Sequence, residues 1–195
     1  MQRICVFAGS QEGNLPAYAQ AAHALGRELA ERGLALVYAG ASVGLMAATA
    51  GSARSAGGEV IGVALHDDQP CGGGRGPATS WLRAAGVEER TALMADLADG
   101  FIALPGGLGT FDELFTVIYR AQLGLHTKPI GLLNIEGFFT PLLSQVARAE
   151  SSCFIAPGRI PRLCTAQGAP ELLDALVAAA LDCQPLPVPC KEVAR

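Results

Sequence analysis

The residues Phe101-Ile102-Ala103-Leu104-Pro105-Gly106-Gly107-Leu108-Gly109-Thr110-Phe111-Asp112-Glu113 decide how this chain folds. Phe101 to Leu104 is a short apolar run of buried-strand type, the glycines break it, and Phe111 to Leu123 then carries apolar residues at helical spacing. The same strand, turn and helix recur on both sides. Toward the N-terminus, Ile4 to Ala8 is an apolar run ended by Gly9-Ser10, and Tyr18, Ala22, Leu25 and Leu29 follow at helical spacing up to Arg32-Gly33. Leu34 to Tyr38 is a second run, Gly40-Ala41-Ser42 breaks it, and Val43 to Ser55 is an Ala-rich helix. Glu59 to Leu65 reads as the third strand and Val87 to Leu97 as the helix before the central stretch. Toward the C-terminus, Pro129 to Leu133 precedes a helix at 137–149, and Ile160 to Thr165 precedes a last helix, Pro170 to Leu181, with Pro in its first turn. Six apolar runs separated by helices predict a doubly wound α/β fold with one parallel sheet covered on both faces.

Length and composition agree with one domain. The 195 residues suffice for one sizeable core, and 50% hydrophobic against 16% charged residues excludes global disorder. The expected division is a domain over 1–182 and a Pro-rich tail over 183–195. Residues 66–80, rich in Gly and Pro, read as a mobile loop. The net charge of −4 and the absence of a basic block argue against nucleic acid as a partner. The six cysteines form no C-x-x-C pair and read as reduced, and no run is long enough for a membrane span, so a cytoplasmic location is expected.

In an open parallel sheet, ligands bind beyond the carboxyl ends of the strands. The first turn, Gly9-Ser10-Gln11-Glu12-Gly13, lacks the G-x-G-x-x-G spacing of a dinucleotide site. The second, Gly40 to Gly44, reads equally as a ligand contact or as close packing. In the turn at Pro105-Gly106-Gly107-Leu108-Gly109-Thr110, exposed amides meet a helix N-terminus, which suits a phosphate; no Lys-Ser/Thr follows, so it is not the loop of ATP-hydrolysing proteins. Glu113 has two readings. Thr110-Phe111-Asp112-Glu113 matches a capping box, while a carboxylate one turn from a bound phosphate is placed to act on the attached sugar.

The motif PGGxGTxxE, Pro105 to Glu113, resembles that of the LONELY GUY (LOG) family. Similar patterns occur in Cys5 to Ser10, Pro16 to Gly33, Leu36 to Met46, Gly57 to Val63, Asp99 to Glu113 and Ala121 to Asn134. The resemblance implies a Rossmann-like sheet, a homodimer, and a phosphoribohydrolase that releases a purine base from its riboside 5′-monophosphate; some such relatives have been mislabelled lysine decarboxylases. It also implies a catalytic pair, Glu113 and Arg90, the latter within Val87-Glu88-Glu89-Arg90-Thr91-Ala92-Leu93-Met94. Val87, Glu88 and Thr91 stand where the family has Met, His and Lys. The implied substrate-binding set is Gly106, Gly107, Leu108, Gly109, Thr110 and Asp112, with Gly9, Ser10, Thr91 and Met94.

Cleavage of an N-glycosidic bond passes through a ribosyl cation, so Glu113 is assigned to stabilise that cation or activate water, and Arg90 to hold the reacting groups. The bland reading of Arg90 is a solvated helix charge. No metal and no cofactor are required. Loss of the family's Lys and His leaves room for a compensating cation, for which Arg120, Arg75 and Arg83 are candidates. His23, His66 and His126 carry no triad pattern, and Lys128 before Pro129 reads as a boundary residue, not a Schiff-base lysine. The competing class is a carrier of a nucleotide or of molybdenum cofactor, since such proteins share the glycine cradle.

Overall fold

The computed structural model describes residues 1–66, 76–156 and 158–182. Strands β1 (Arg3–Phe7), β2 (Ala35–Tyr38), β3 (Val60–Leu65), β4 (Ser80–Ala84), β5 (Gly100–Ala103), β6 (Ile130–Leu133) and β7 (Leu163–Ala166) form one parallel sheet. Its order is β4-β3-β2-β1-β5-β6-β7. The helices are α1 (Pro16–Glu31), α2 (Gly44–Ser55), α3 (Val87–Leu97), α4 (Leu108–Gln122), α5 (Thr140–Ser151) and α6 (Ala169–Leu181). This is the Rossmann-like, doubly wound architecture expected from the alternating runs.

Strand alternation builds two apolar layers, one on each side of the sheet. Ile4 and Val6 of β1 join Leu36, Ile102 and Leu104 beneath α1, α2 and α6, while Cys5 and Phe7 join Phe101, Leu114 and Val117 on the side of α3, α4 and α5. The central strands are buried apart from Arg3 at the start of β1, which is why they read as unbroken apolar runs. Helices α1 and α2 meet at Gly26, where any Cβ would run into the carbonyl of Thr49.

Among the described residues the sheet holds seven strands, where six apolar runs are expected. Among the described residues strand β4 pairs only with β3, and Trp81, Leu82 and Arg83 are all at least partly exposed. An edge strand of this kind lacks the unbroken apolar run on which the sequence reading relied. The helix expected to begin at Phe111 begins instead at Leu108, with Gly107 as its cap. The expected loop falls mostly outside the described residues, as do Arg75 and the Pro-rich tail from Cys183 onward. Among the described residues Cys5, Cys153 and Cys164 carry free thiols, and no helix is long and apolar enough to cross a membrane.

Strand order reverses between β1 and β5, whose carboxyl ends lie side by side through Phe7 and Ala103. Such a switch point splays the following turns apart and leaves a crevice. Gly9 donates its amide to the Pro105 carbonyl at 3.0 Å, joining the two turns at its floor.

Candidate active site

A cavity of about 580 Å³ opens at the carboxyl ends of the strands. Ala8 and Ser10 follow β1, Ala39 to Val43 follow β2, and Trp81, Leu82 and Arg83 come from β4. Val87 and Arg90 come from the start of α3, and Gly107, Leu108, Gly109, Thr110, Asp112 and Glu113 from the start of α4.

The α4 start is a cradle of backbone donors. Gly107, Leu108 and Gly109 are exposed, and the first turn of a helix has amides without intrahelical partners. The glycines before it are needed for close approach. A Cβ on Gly106 would collide with the Thr110 side chain and come within 2.7 Å of the Gly9 nitrogen, and a Cβ on Gly9 would meet the Gly106 Cα at 3.2 Å. Gly9 and Gly106 therefore shape the floor beneath the cavity, which they do not line.

Glu113 faces this cavity at 6% exposure. Because Gly107 is the cap, Thr110 lies inside the first turn, and α4 has no side-chain cap hydrogen bond. The capping-box reading is thereby removed. Burial raises the Glu113 carboxyl to about 7, the Arg90 guanidinium pulls it down and Asp112 adds to the rise. Burial, together with the Glu113 charge, holds the Cys5 thiol of β1 well above its ordinary value. A carboxyl poised near neutrality in an open cavity is able to exchange a proton with substrate or water.

Arg90 is half-buried, and its Nε is buried without a hydrogen-bond partner among the described residues. An unpaired guanidinium nitrogen at a cavity wall is costly unless a ligand completes it. This separates Arg90 from a solvated helix charge. Thr91 and Met94 do not line the cavity: the Thr91 hydroxyl donates to the Val87 carbonyl at 3.1 Å, and Met94 is fully buried in the core. Ser10, Leu108 and Asp112 do line it.

The other candidates separate as clearly. Arg120 pairs with Asp96 at 3.3 Å and does not line the cavity, whereas Arg83 does. Lys128 donates from Nζ to the Ala95 carbonyl at 2.8 Å, away from the cavity. His126 is held between the Val117 carbonyl and the Lys128 amide, and burial lowers its pKa. In the second turn Gly40 to Val43 line the cavity, and Gly40, at φ 77°, packs against Trp81. The sequence reading missed Trp81, Leu82 and Ala64 as lining residues, because β4 was not seen and a strand end is not marked by any motif.

Comparison with known proteins follows the same lines. The model of a family described as possible lysine decarboxylase matches residues 46–176. The cytokinin riboside 5′-monophosphate phosphoribohydrolase LOG of Oryza sativa subsp. japonica is 45% identical over 172 residues, covering 88% of this chain and 71% of that protein. LOG5 of Arabidopsis thaliana, of the same description, is 42% identical over 180 residues, covering 91% of this chain and 78% of its own. Among solved structures, the molybdenum cofactor binding protein of Rippkaea orientalis superposes with a TM-score of 0.67 at 24% identity, over 91% of this chain and 96% of that one. That last likeness bears on the fold alone.

Proposed function

Because this chain belongs to the family described as possible lysine decarboxylase, which takes in the LOG phosphoribohydrolases, we propose that it hydrolyses the N-glycosidic bond of a purine nucleoside 5′-monophosphate. The products are the free base and ribose 5-phosphate. The observation that carries this reading is a buried carboxyl, raised to about 7, one turn beyond a glycine-flanked helix start and facing the same cavity.

The 5′-phosphate accepts hydrogen bonds from the amides at Gly107 to Thr110, with the positive end of the α4 dipole behind them. Glu113, one turn further along the helix, lies beside the anomeric carbon. As the bond to the base lengthens, positive charge develops on the sugar, and a nearby carboxylate in a poorly solvated cavity stabilises it. The same group accepts a proton from the water that attacks C1′, while the base, which takes the electron pair of the broken bond, gains a proton from solvent and leaves neutral. Arg90 presents donors to Glu113, the sugar or the departing base, and its attraction for Glu113 keeps more of the carboxyl ionised. Grip on the remote phosphate positions the reacting bond, so nucleotides are hydrolysed in preference to nucleosides.

A decarboxylase reading gains nothing from the site, since Lys128 is bonded to a backbone carbonyl away from the cavity. The proposal includes a homodimer in the cytoplasm. Leu108, Phe115, Tyr119 and Leu123 are exposed along α4 at spacings that put them on one face, and we assign a second copy to it. Incubation of the purified protein with a panel of nucleoside monophosphates, followed by chromatography, tests the activity: AMP or an N6-substituted AMP is expected to release base. Persistence of every nucleotide over hours contradicts the assignment.

A further inference from the structure

The cavity is longer than its motif. It runs from the α4 start, after β5, to the end of β4, and the sheet order places three strands between these two. Four inter-strand steps of about 4.8 Å make that roughly 19 Å. With phosphate at the α4 end and the sugar beside Glu113, the far end is left for the base and whatever the base carries.

Trp81 and Arg83 dominate that end. They are two apart on β4 and so share one face of the strand. The Trp81 indole is wedged over Gly40 and Gly62, where a Cβ on either would approach it to 2.7 Å, and its ring lies 6.4 Å from that of Tyr38. It is thus a fixed aromatic wall. Beside it, the Arg83 guanidinium donates from Nη1 to the His66 carbonyl at 3.2 Å, which fixes one edge of the fork and leaves its other donors directed to no partner among the described residues. Ala64, Leu82 and Val87 make the rest of this end apolar. Among the described residues the charged groups lining the cavity are Arg83, Arg90, Asp112 and Glu113, and of these two cations Arg83 is the further from the phosphate cradle.

We propose that Arg83 binds the base end of the nucleotide, donating hydrogen bonds to an acceptor atom of the purine or of its exocyclic substituent against the wall formed by Trp81. This rests on the phosphoribohydrolase reading and adds to it the residue that grips the leaving group's side. It also places the compensating cation at the base instead of the phosphate.

The test compares Arg83→Gln with the unaltered full chain, measuring KM for AMP and the inhibition constant of ribose 5-phosphate, which keeps sugar and phosphate but has no base. The expected result is a rise of about tenfold in KM with the ribose 5-phosphate constant unchanged. Equal weakening of both in a variant with an unaltered circular dichroism spectrum places Arg83 at the phosphate and overturns the proposal. No change in either leaves Arg83 as a tether for His66 and overturns it too. If the spectrum shows misfolding, Arg83→Lys, which keeps the charge without the fork, decides by the same split at smaller size. Unaltered protein that releases no base from AMP sinks the enzyme reading and this proposal together; base release with an insensitive Arg83→Gln variant sinks this proposal alone.

Discussion

The first turns of α3 and α4 open onto the same cavity and are built in opposite ways. Helix α4 springs from β5 near the middle of the sheet, and its Glu113 is buried. Helix α3 follows the edge strand β4, and its first residues, Val87, Glu88 and Glu89, are exposed, with only Arg90 turned partly inward. The central position supplies desolvation, which raises a carboxyl into the range where it exchanges protons. The edge position supplies a cation that water partly screens. The proposed reaction thus takes its carboxyl from the sheet centre and its electrostatic adjustment from the edge.

The largest expected effect follows from removing the central partner. Glu113→Gln is predicted to lower kcat by about 10³-fold or more, with AMP still bound. If turnover is retained, Glu113 has no chemical role. The same substitution is predicted to stabilise the fold. A carboxyl raised to about 7 favours folding while protonated; that advantage is full below its unfolded value and is lost as pH rises through 7. Thermal melts at pH 8 should therefore show Glu113→Gln more stable than the parent, by about 1–3 kcal/mol, and the difference should vanish near pH 4. A destabilised variant at pH 8 contradicts this account of the burial cost.

Removing the edge partner costs less and moves the profile. Arg90→Gln is predicted to lower kcat/KM by about 100-fold, and to shift the acid limb of the pH profile upward, because the Arg90 charge holds Glu113 down. An unshifted limb would uncouple the two helix starts. Gly106→Ala is expected to cost about 1–3 kcal/mol of stability in denaturant melts, since the new methyl strikes Thr110 and the Gly9 turn. The smallest effect belongs to Arg120→Ala: with Arg120 paired to Asp96 outside the cavity, KM for AMP should change less than about twofold. A clear rise in KM would return Arg120 to the site.

The contrast also explains what could be read from the sequence. Central strands such as Ile4 to Phe7 and Phe101 to Ala103 are buried on both faces and announce themselves as apolar runs. Ser80 to Ala84 pairs on one side only and is largely exposed, so neither periodicity nor composition marks it, and the cavity wall it carries went unseen. Glu113 was visible through its glycine-rich approach, but its separation from capping depended on the helix beginning at Leu108, a three-residue shift of a kind that local pattern does not fix. Thr91 and Met94 show the reverse: one and four residues after Arg90 in sequence, they face the helix backbone and the core.

A crystal structure of the Glu113→Gln protein with AMP tests the central claim most directly. The account predicts the phosphate on the amides of Gly107 to Thr110 with C1′ against the side chain at 113. A phosphate bound elsewhere, or a sugar turned away from that side chain, would contradict it.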